Sequence, residues 1–183
     1  MRIISGSLKG RRLKGFDRNL PLRPMTDRVK ESLFAVLTPF FHKDLRFLDL
    51  FSGTGSLSME ALSRGAKEAH AVEFHPRSLE IIKRNRQILP CPENLILYKQ
   101  KVFSFLNHFK GAPFDIVVAD PPFSLNIGHL LLEKLSGSDL CTKKTIIAIE
   151  TGKRETLQEQ YNHLKLFSKK TFGDKQVRFY EFR

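Results

Sequence analysis

Four consecutive residues, Asp120-Pro121-Pro122-Phe123, put a carboxylate, a rigid carbonyl and an aromatic ring within one short stretch of chain. Such a set suits an exocyclic amino group on a heteroaromatic base. The lone pair of that amine is delocalised into the ring, so it is a poor nucleophile. Two acceptors, the Asp120 carboxylate and the Pro121 carbonyl, can hold its two protons and turn the lone pair toward an electrophile. Asp120 would take a proton as the new bond forms or after it. Phe123 offers a face for stacking, a contact worth about 1–3 kcal/mol per base. A base inside a helix would first have to be unstacked. The bland alternative is that the prolines only end a strand and Asp120 caps the next turn.

A second group lies upstream in Asp49-Leu50-Phe51-Ser52-Gly53-Thr54-Gly55, at the end of a short apolar run. Glycines at a strand-to-helix turn let backbone approach a ligand closely. The full GxGxxG pattern is absent, because Ser58 stands at the third glycine position. Glu73 ends the next apolar run, 18 residues after Gly55, where a carboxylate can accept from both hydroxyls of an adenosine ribose. Asp49 adds negative charge. An acidic mouth repels a pyrophosphate and attracts a cationic group, so S-adenosylmethionine fits this loop better than a dinucleotide.

These two groups need elements to hold them. Leu45–Phe51, Glu68–Phe74, Asn94–Lys99, Phe114–Ala119 and Thr145–Glu150 read as strands. Helical spacing falls between them at Ser56–Ser63, Pro76–Leu89, Val102–Phe109 and Ile127–Leu135. Apolar strands alternating with helices predict an α/β fold with a mostly parallel sheet covered on both faces. Leu164–Thr171 and Gln176–Phe182 flank Phe172-Gly173-Asp174-Lys175 with no helix between, which predicts an antiparallel hairpin. Upstream, Thr26 is a plausible cap for a helix from Arg28 to Leu37. Residues 2–14 read as a β-hairpin rich in Arg2, Lys9, Arg11, Arg12 and Lys14, followed by Arg18 and by Pro21 and Pro24. It serves either as a solvated edge ribbon or as an RNA-contacting arm.

Composition narrows the partners. Of 183 residues, 31 are Lys or Arg and 19 Asp or Glu, a formal net charge of +12. That excess attracts phosphate backbones. Neither Cys91 nor Cys141 belongs to a metal-ligand cluster, and no metal is expected; both read as small buried or half-buried apolar residues. The first residues lack a signal-peptide pattern, and no run of about 18 apolar residues suggests a membrane span. A cytoplasmic protein with reduced thiols is expected. The histidines are scattered, and none sits in a nucleophile motif.

The Asp49–Gly55 loop, Glu73 and the Asp120–Phe123 segment resemble the motifs of class I methyltransferases acting on amino groups. Three further stretches narrow the likeness: Arg2-Ile3-Ile4-Ser5-Gly6 through Gly10-Arg11-Arg12-Leu13, Leu22-Arg23-Pro24-Met25-Thr26-Asp27-Arg28-Val29 onward to Phe34, and Glu60-Ala61-Leu62-Ser63-Arg64-Gly65-Ala66. Together they resemble the bacterial RsmD family of small-subunit ribosomal RNA guanine-N2 methyltransferases, over nearly the whole chain. The resemblance implies a Rossmann-like seven-stranded sheet with an antiparallel last strand. Residues 1–20 would be a basic β-hairpin extension and 21–183 the methyltransferase domain.

The resemblance also implies site roles. S-adenosylmethionine would be held by Asp49, Phe51, Ser52, Gly53, Thr54 and Gly55 at its methionine part and by Glu73 at its ribose, with Thr26 and Asp27 near the mouth. Asp120, Pro121 and Phe123 would be catalytic. The partner would be ribosomal RNA or the small ribosomal subunit, approached by Arg2, Lys9, Arg11 and Arg12, with the protein a monomer. The chain departs from the family in three places. Thr54 replaces a serine, Phe123 replaces a tyrosine, and Gln100-Lys101 stands where an aspartate usually meets the adenine. Two other readings share the residues: a DNA adenine-N6 methyltransferase, disfavoured without a target-reading domain, and a non-catalytic RNA-binding assembly factor. A protein glutamine methyltransferase would typically carry Asn at position 120.

Overall fold

The computed structural model of the chain describes residues 1–16 and 25–183. Arg18, Pro21, the Leu22-Arg23-Pro24 stretch and the boundary expected at residues 20 and 21 lie outside the described residues. In chain order the elements are α1 (Asp27–Leu37), β1 (Arg46–Leu50), α2 (Ser56–Ser63), β2 (Glu68–Glu73), α3 (Pro76–Arg86), β3 (Leu95–Lys99) and α4 (Val102–His108). They continue with β4 (Phe114–Ala119), α5 (Gly128–Ser136), β5 (Cys141–Gly152), β6 (Gln160–Tyr161), β7 (Leu164–Phe172) and β8 (Lys175–Phe182). The expected strands and helices are all present, with ends moved by a few residues. The largest change is in β5, which starts four residues earlier than the apolar run because Thr142, Lys143 and Lys144 extend it toward solvent.

The strand order is β3-β2-β1-β4-β5-β8-β7-β6. Strands β1 to β5 pair in parallel, and β8 is antiparallel to β5. One strand more is present than expected. The extra strand, β6, has two residues and pairs with β7, too short to leave a periodic signal. The order reverses between β1 and β4, which opens a crevice at their carboxyl ends. Both faces are buried. Ile116 and Val118 of β4 join a core with α1 and α2, whereas Val117 and Ala119 join one with α4 and α5. That explains the unbroken apolar runs. Among the described residues no helix is long and apolar enough to cross a membrane.

Two expectations change. The N-terminal hairpin reduces to one antiparallel bridge, Arg2 to Arg12. The amides that a second ladder would need are taken elsewhere: Glu60 on α2 accepts from Ile4 N–H at 2.7 Å and Ser5 N–H at 3.0 Å. Ile3, Leu8 and Leu13 are buried in the α1–α2 core, so the loop packs as part of the body. Cys91 is exposed rather than buried, because it lies in the Pro90-Cys91-Pro92 connection between α3 and β3.

Gly6 is where the loop meets α2. Its φ is +84°, and a Cβ there would lie 1.8 Å from the Ser63 carbonyl oxygen. Gly6→Ala is therefore expected to destabilise the fold by about 2–4 kcal/mol, from left-handed strain and the clash together. Urea unfolding measures it; a loss below about 1 kcal/mol would contradict the packing described.

Candidate active site

The crevice contains a cavity of about 510 Å³, within the roughly 300–1,000 Å³ range of small-molecule sites. The loop after β1 forms one wall. Asp49, at the end of β1, is buried; its Oδ2 accepts from the Ser58 N–H at 3.1 Å and hydroxyl at 2.6 Å. Ser58 thus earns its place where a dinucleotide pattern would have glycine. The other oxygen, Oδ1, is buried with no hydrogen-bond partner among the described residues. Lost hydration, opposed by the Ser58 bonds and reinforced by the charge of Glu73, pushes the Asp49 carboxyl from 3.8 up to about 7. Asp49 is thus a buried acid beneath the loop, and it does not itself line the cavity.

The turn itself is tightly wound. Phe51 adopts φ +64°, a strained value for a non-glycine residue. Ser52 fixes it by donating its hydroxyl to the Asp49 carbonyl at 2.7 Å and its N–H to Val72 at 3.1 Å. Glu73 then ties the two loops together. Its Oε2 accepts from Gly53 N–H at 2.9 Å, and its Oε1 from Phe74 and His75 N–H, both at 2.8 Å. Oε2 keeps a lone pair for a ribose hydroxyl, whereas both of those on Oε1 are taken. Gly55 starts α2 with φ +75°. Thr54 lies 3.5 Å from the Met1 sulfur through its hydroxyl, so the N-terminal loop abuts the cofactor loop.

The opposite wall comes from the end of β4. Asp120 is half-buried, Pro121 buried and Phe123 half-buried, and all three line the same cavity as Glu73 and Gly53. Lost hydration, then the charge of Glu150, holds the Asp120 carboxyl well above the ordinary carboxylate range. Lys175 opposes this and Asp49 adds to it.

The expected residues do not all converge. Thr26 is exposed and caps α1, accepting from Val29 N–H at 3.4 Å; its neighbour Met25 reaches the cavity instead. Gln100 and Lys101 do not line the cavity, and at the far end of Glu73 its wall is Phe74, His75 and Ser78. Arg2, Lys9, Arg11 and Arg12 are exposed on the N-terminal loop, Arg2 beside Asp27 at 3.5 Å. Sequence reasoning missed Ser58, Met25, Phe74, His75 and Lys175. Only Ser58 had a signal, as the departure at the third glycine position.

Glu73 at the ribose position, the Phe51–Thr54 loop and apolar walls from Met25, Leu57 and Phe74 fit S-adenosylmethionine, with the buried Asp49 carboxyl supporting that loop from outside the cavity lining. This fold and site define a class I methyltransferase, with S-adenosylmethionine as methyl donor. The chain belongs to the family described as conserved hypothetical protein 95, whose model matches residues 1–181, the RsmD family of the resemblance. It is 36% identical over 183 residues to ribosomal RNA small subunit methyltransferase D of Haemophilus influenzae, covering 99% of this chain and 93% of that one. The protein of the same name in Escherichia coli K12 is 33% identical over 181 residues, covering 99% and 89%. The solved Escherichia coli protein yhhF superimposes with a TM-score of 0.86 at 31% identity, covering 100% of this chain and 98% of that chain.

Proposed function

We propose that the chain transfers a methyl group from S-adenosylmethionine to the exocyclic N2 amine of a guanine in small-subunit ribosomal RNA, in the cytoplasm. One observation carries the reading: Asp120 and Pro121 share a single cavity with Glu73, the acid that suits the cofactor's ribose. The names of the Haemophilus and Escherichia relatives support ribosomal RNA as substrate. When bound, S-adenosylmethionine supplies an electrophilic methyl. The Asp120 carboxylate and the Pro121 carbonyl accept the two N–H bonds of the amine and aim its lone pair into the cavity. Phe123 supports the base through its ring alone, since it lacks a tyrosine hydroxyl. As nitrogen gains the methyl, Asp120 takes the departing proton, a role that its raised carboxyl suits.

Arg2, Lys9, Arg11 and Arg12 would meet the RNA backbone from the loop that abuts Thr54. Replacing Arg11 and Arg12 together with alanine is expected to weaken RNA binding at low salt, and to reduce the slope of log affinity against log salt by about one to two. An unchanged slope in filter binding would remove these residues from the interface.

The reaction is tested by incubating the protein with labelled S-adenosylmethionine and small subunits lacking the modification, both assembled and partly assembled. Mass spectrometry then identifies the labelled nucleoside. N2-methylguanosine is expected. A different methylated nucleoside, or label only on DNA or protein, would overturn the substrate assignment.

A further inference from the structure

Behind Asp120 lies a charged pair with no part in the reaction as described above. Glu150 on β5 is wholly shielded from solvent. Its Oε1 accepts from Lys175 Nζ at 2.7 Å, and its Oε2 is buried with no hydrogen-bond partner among the described residues. Lys175 opens β8 directly after the Gly173-Asp174 turn, opposite Gly152 of β5. Its side chain runs from Glu150 to Phe123, with Nζ 4.8 Å from the ring centroid, and it lines the cavity together with Asp120. A buried ion pair can often be replaced by apolar residues without loss of stability. Structure alone therefore gives little reason for a pair placed here, against the acceptor of the reaction.

We propose that Glu150 and Lys175 are a positioning pair for methyl transfer: Glu150 anchors the Lys175 ammonium beside Asp120 and against the Phe123 ring. Lys175 then favours the proton-accepting form of Asp120 and fixes the ring that supports the base. This rests on the reaction proposed above and adds two residues to it. The charges facing Asp120 are Glu150 from β5, Lys175 from β8 and Asp49 from β1. The two acids hold its proton on and the lysine helps to release it. An anchored ammonium acts at full strength, unlike a mobile surface lysine.

The test compares single-turnover methylation by the wild type and by Glu150→Gln, Lys175→Met, Lys175→Arg and the Glu150→Gln/Lys175→Met double variant across pH. S-adenosylmethionine affinity and thermal unfolding are measured alongside. Glu150→Gln removes an acid and keeps the ammonium, so the acid limb of the rate profile moves to lower pH by about one pH unit. Adding Lys175→Met moves it back up. Lys175→Met alone lowers kcat about tenfold or more with a smaller change in KM, and Lys175→Arg recovers most of the loss. A limb that stays in place in both Gln-containing variants reduces the pair to a structural role. So does a Lys175→Arg rate no better than that of Lys175→Met, a comparison that stands even if Glu150→Gln fails to fold. Wild-type protein that leaves ribosomal RNA unmethylated strikes the reaction itself; wild-type methylation with an immobile limb strikes only the pair.

Discussion

Replacing Asp120 with alanine lowers the rate of methyl transfer by about 10³-fold or more, while S-adenosylmethionine binds within a few-fold of wild type. The two effects separate because the site is built from two walls. The cofactor wall is closed by Glu73, Ser52 and Ser58, none of which bonds to Asp120. Asp120 stands on the end of β4 with its N–H donated to the Leu50 carbonyl at 3.4 Å, a backbone bond that alanine keeps. What alanine would lose is the acceptor proposed to orient the amine and receive its proton. Asp120→Asn keeps one acceptor oxygen and cannot take the proton, so it is expected to fall between alanine and wild type. Calorimetric titration gives the affinity and a labelled-methyl single turnover gives the rate. Activity of Asp120→Ala within tenfold of wild type would remove the acceptor from the mechanism.

Cofactor affinity is expected to rise about tenfold as pH increases from roughly 6 to roughly 8. The proposed cause is Asp49, which does not itself line the cavity but is buried beneath its loop, with a carboxyl lifted to about 7 by burial. A cationic ligand favours the ionised form, so binding near neutrality must expel a proton. Below the lifted value that proton has to be removed at the expense of affinity; above it the site is already charged. Titrations in two buffers of different ionisation enthalpy would report the released proton. Asp49→Asn should flatten the pH dependence while weakening binding. A pH-independent affinity in the wild type would show that Asp49 is not the cation's partner. Folding has the opposite sense. With its carboxyl raised from 3.8 to about 7, Asp49 contributes most to the stability of the cofactor-free fold below the lower value, and that contribution is lost as pH rises toward 7. Ligand restores part of it by mass action.

The two chemical motifs were legible because each is a contiguous strand end and turn. Asp49 through Gly55 and Asp120 through Phe123 carry their geometry in neighbouring residues, and the apolar runs before them are strands buried on both faces. Lys175 was not legible. It reaches Phe123 only because β8 inserts beside β5, a pairing that no local pattern near residue 175 announces. His75 and Phe74 were missed for a related reason: they line the cavity where Gln100 and Lys101 do not, and that is visible only in three dimensions. The N-terminal ribbon keeps its antiparallel pairing only at the Arg2–Arg12 bridge, and its packing was not legible because its partner, Glu60, is more than fifty positions away.

Helix α2 carries two duties at opposite ends. It begins at Gly55 under the cofactor loop, and through Glu60 and Ser63 it holds the N-terminal loop, with Lys30 and Arg64 completing the set around Glu60. In hydrogen-exchange terms the loop and the helix are expected to behave as one cooperative unit. The amides of Ile4, Ser5 and Leu8 are released to solvent only when their bonds to Glu60 and Ser63 break, so their protection follows the opening of α2 rather than the fraying of a chain end.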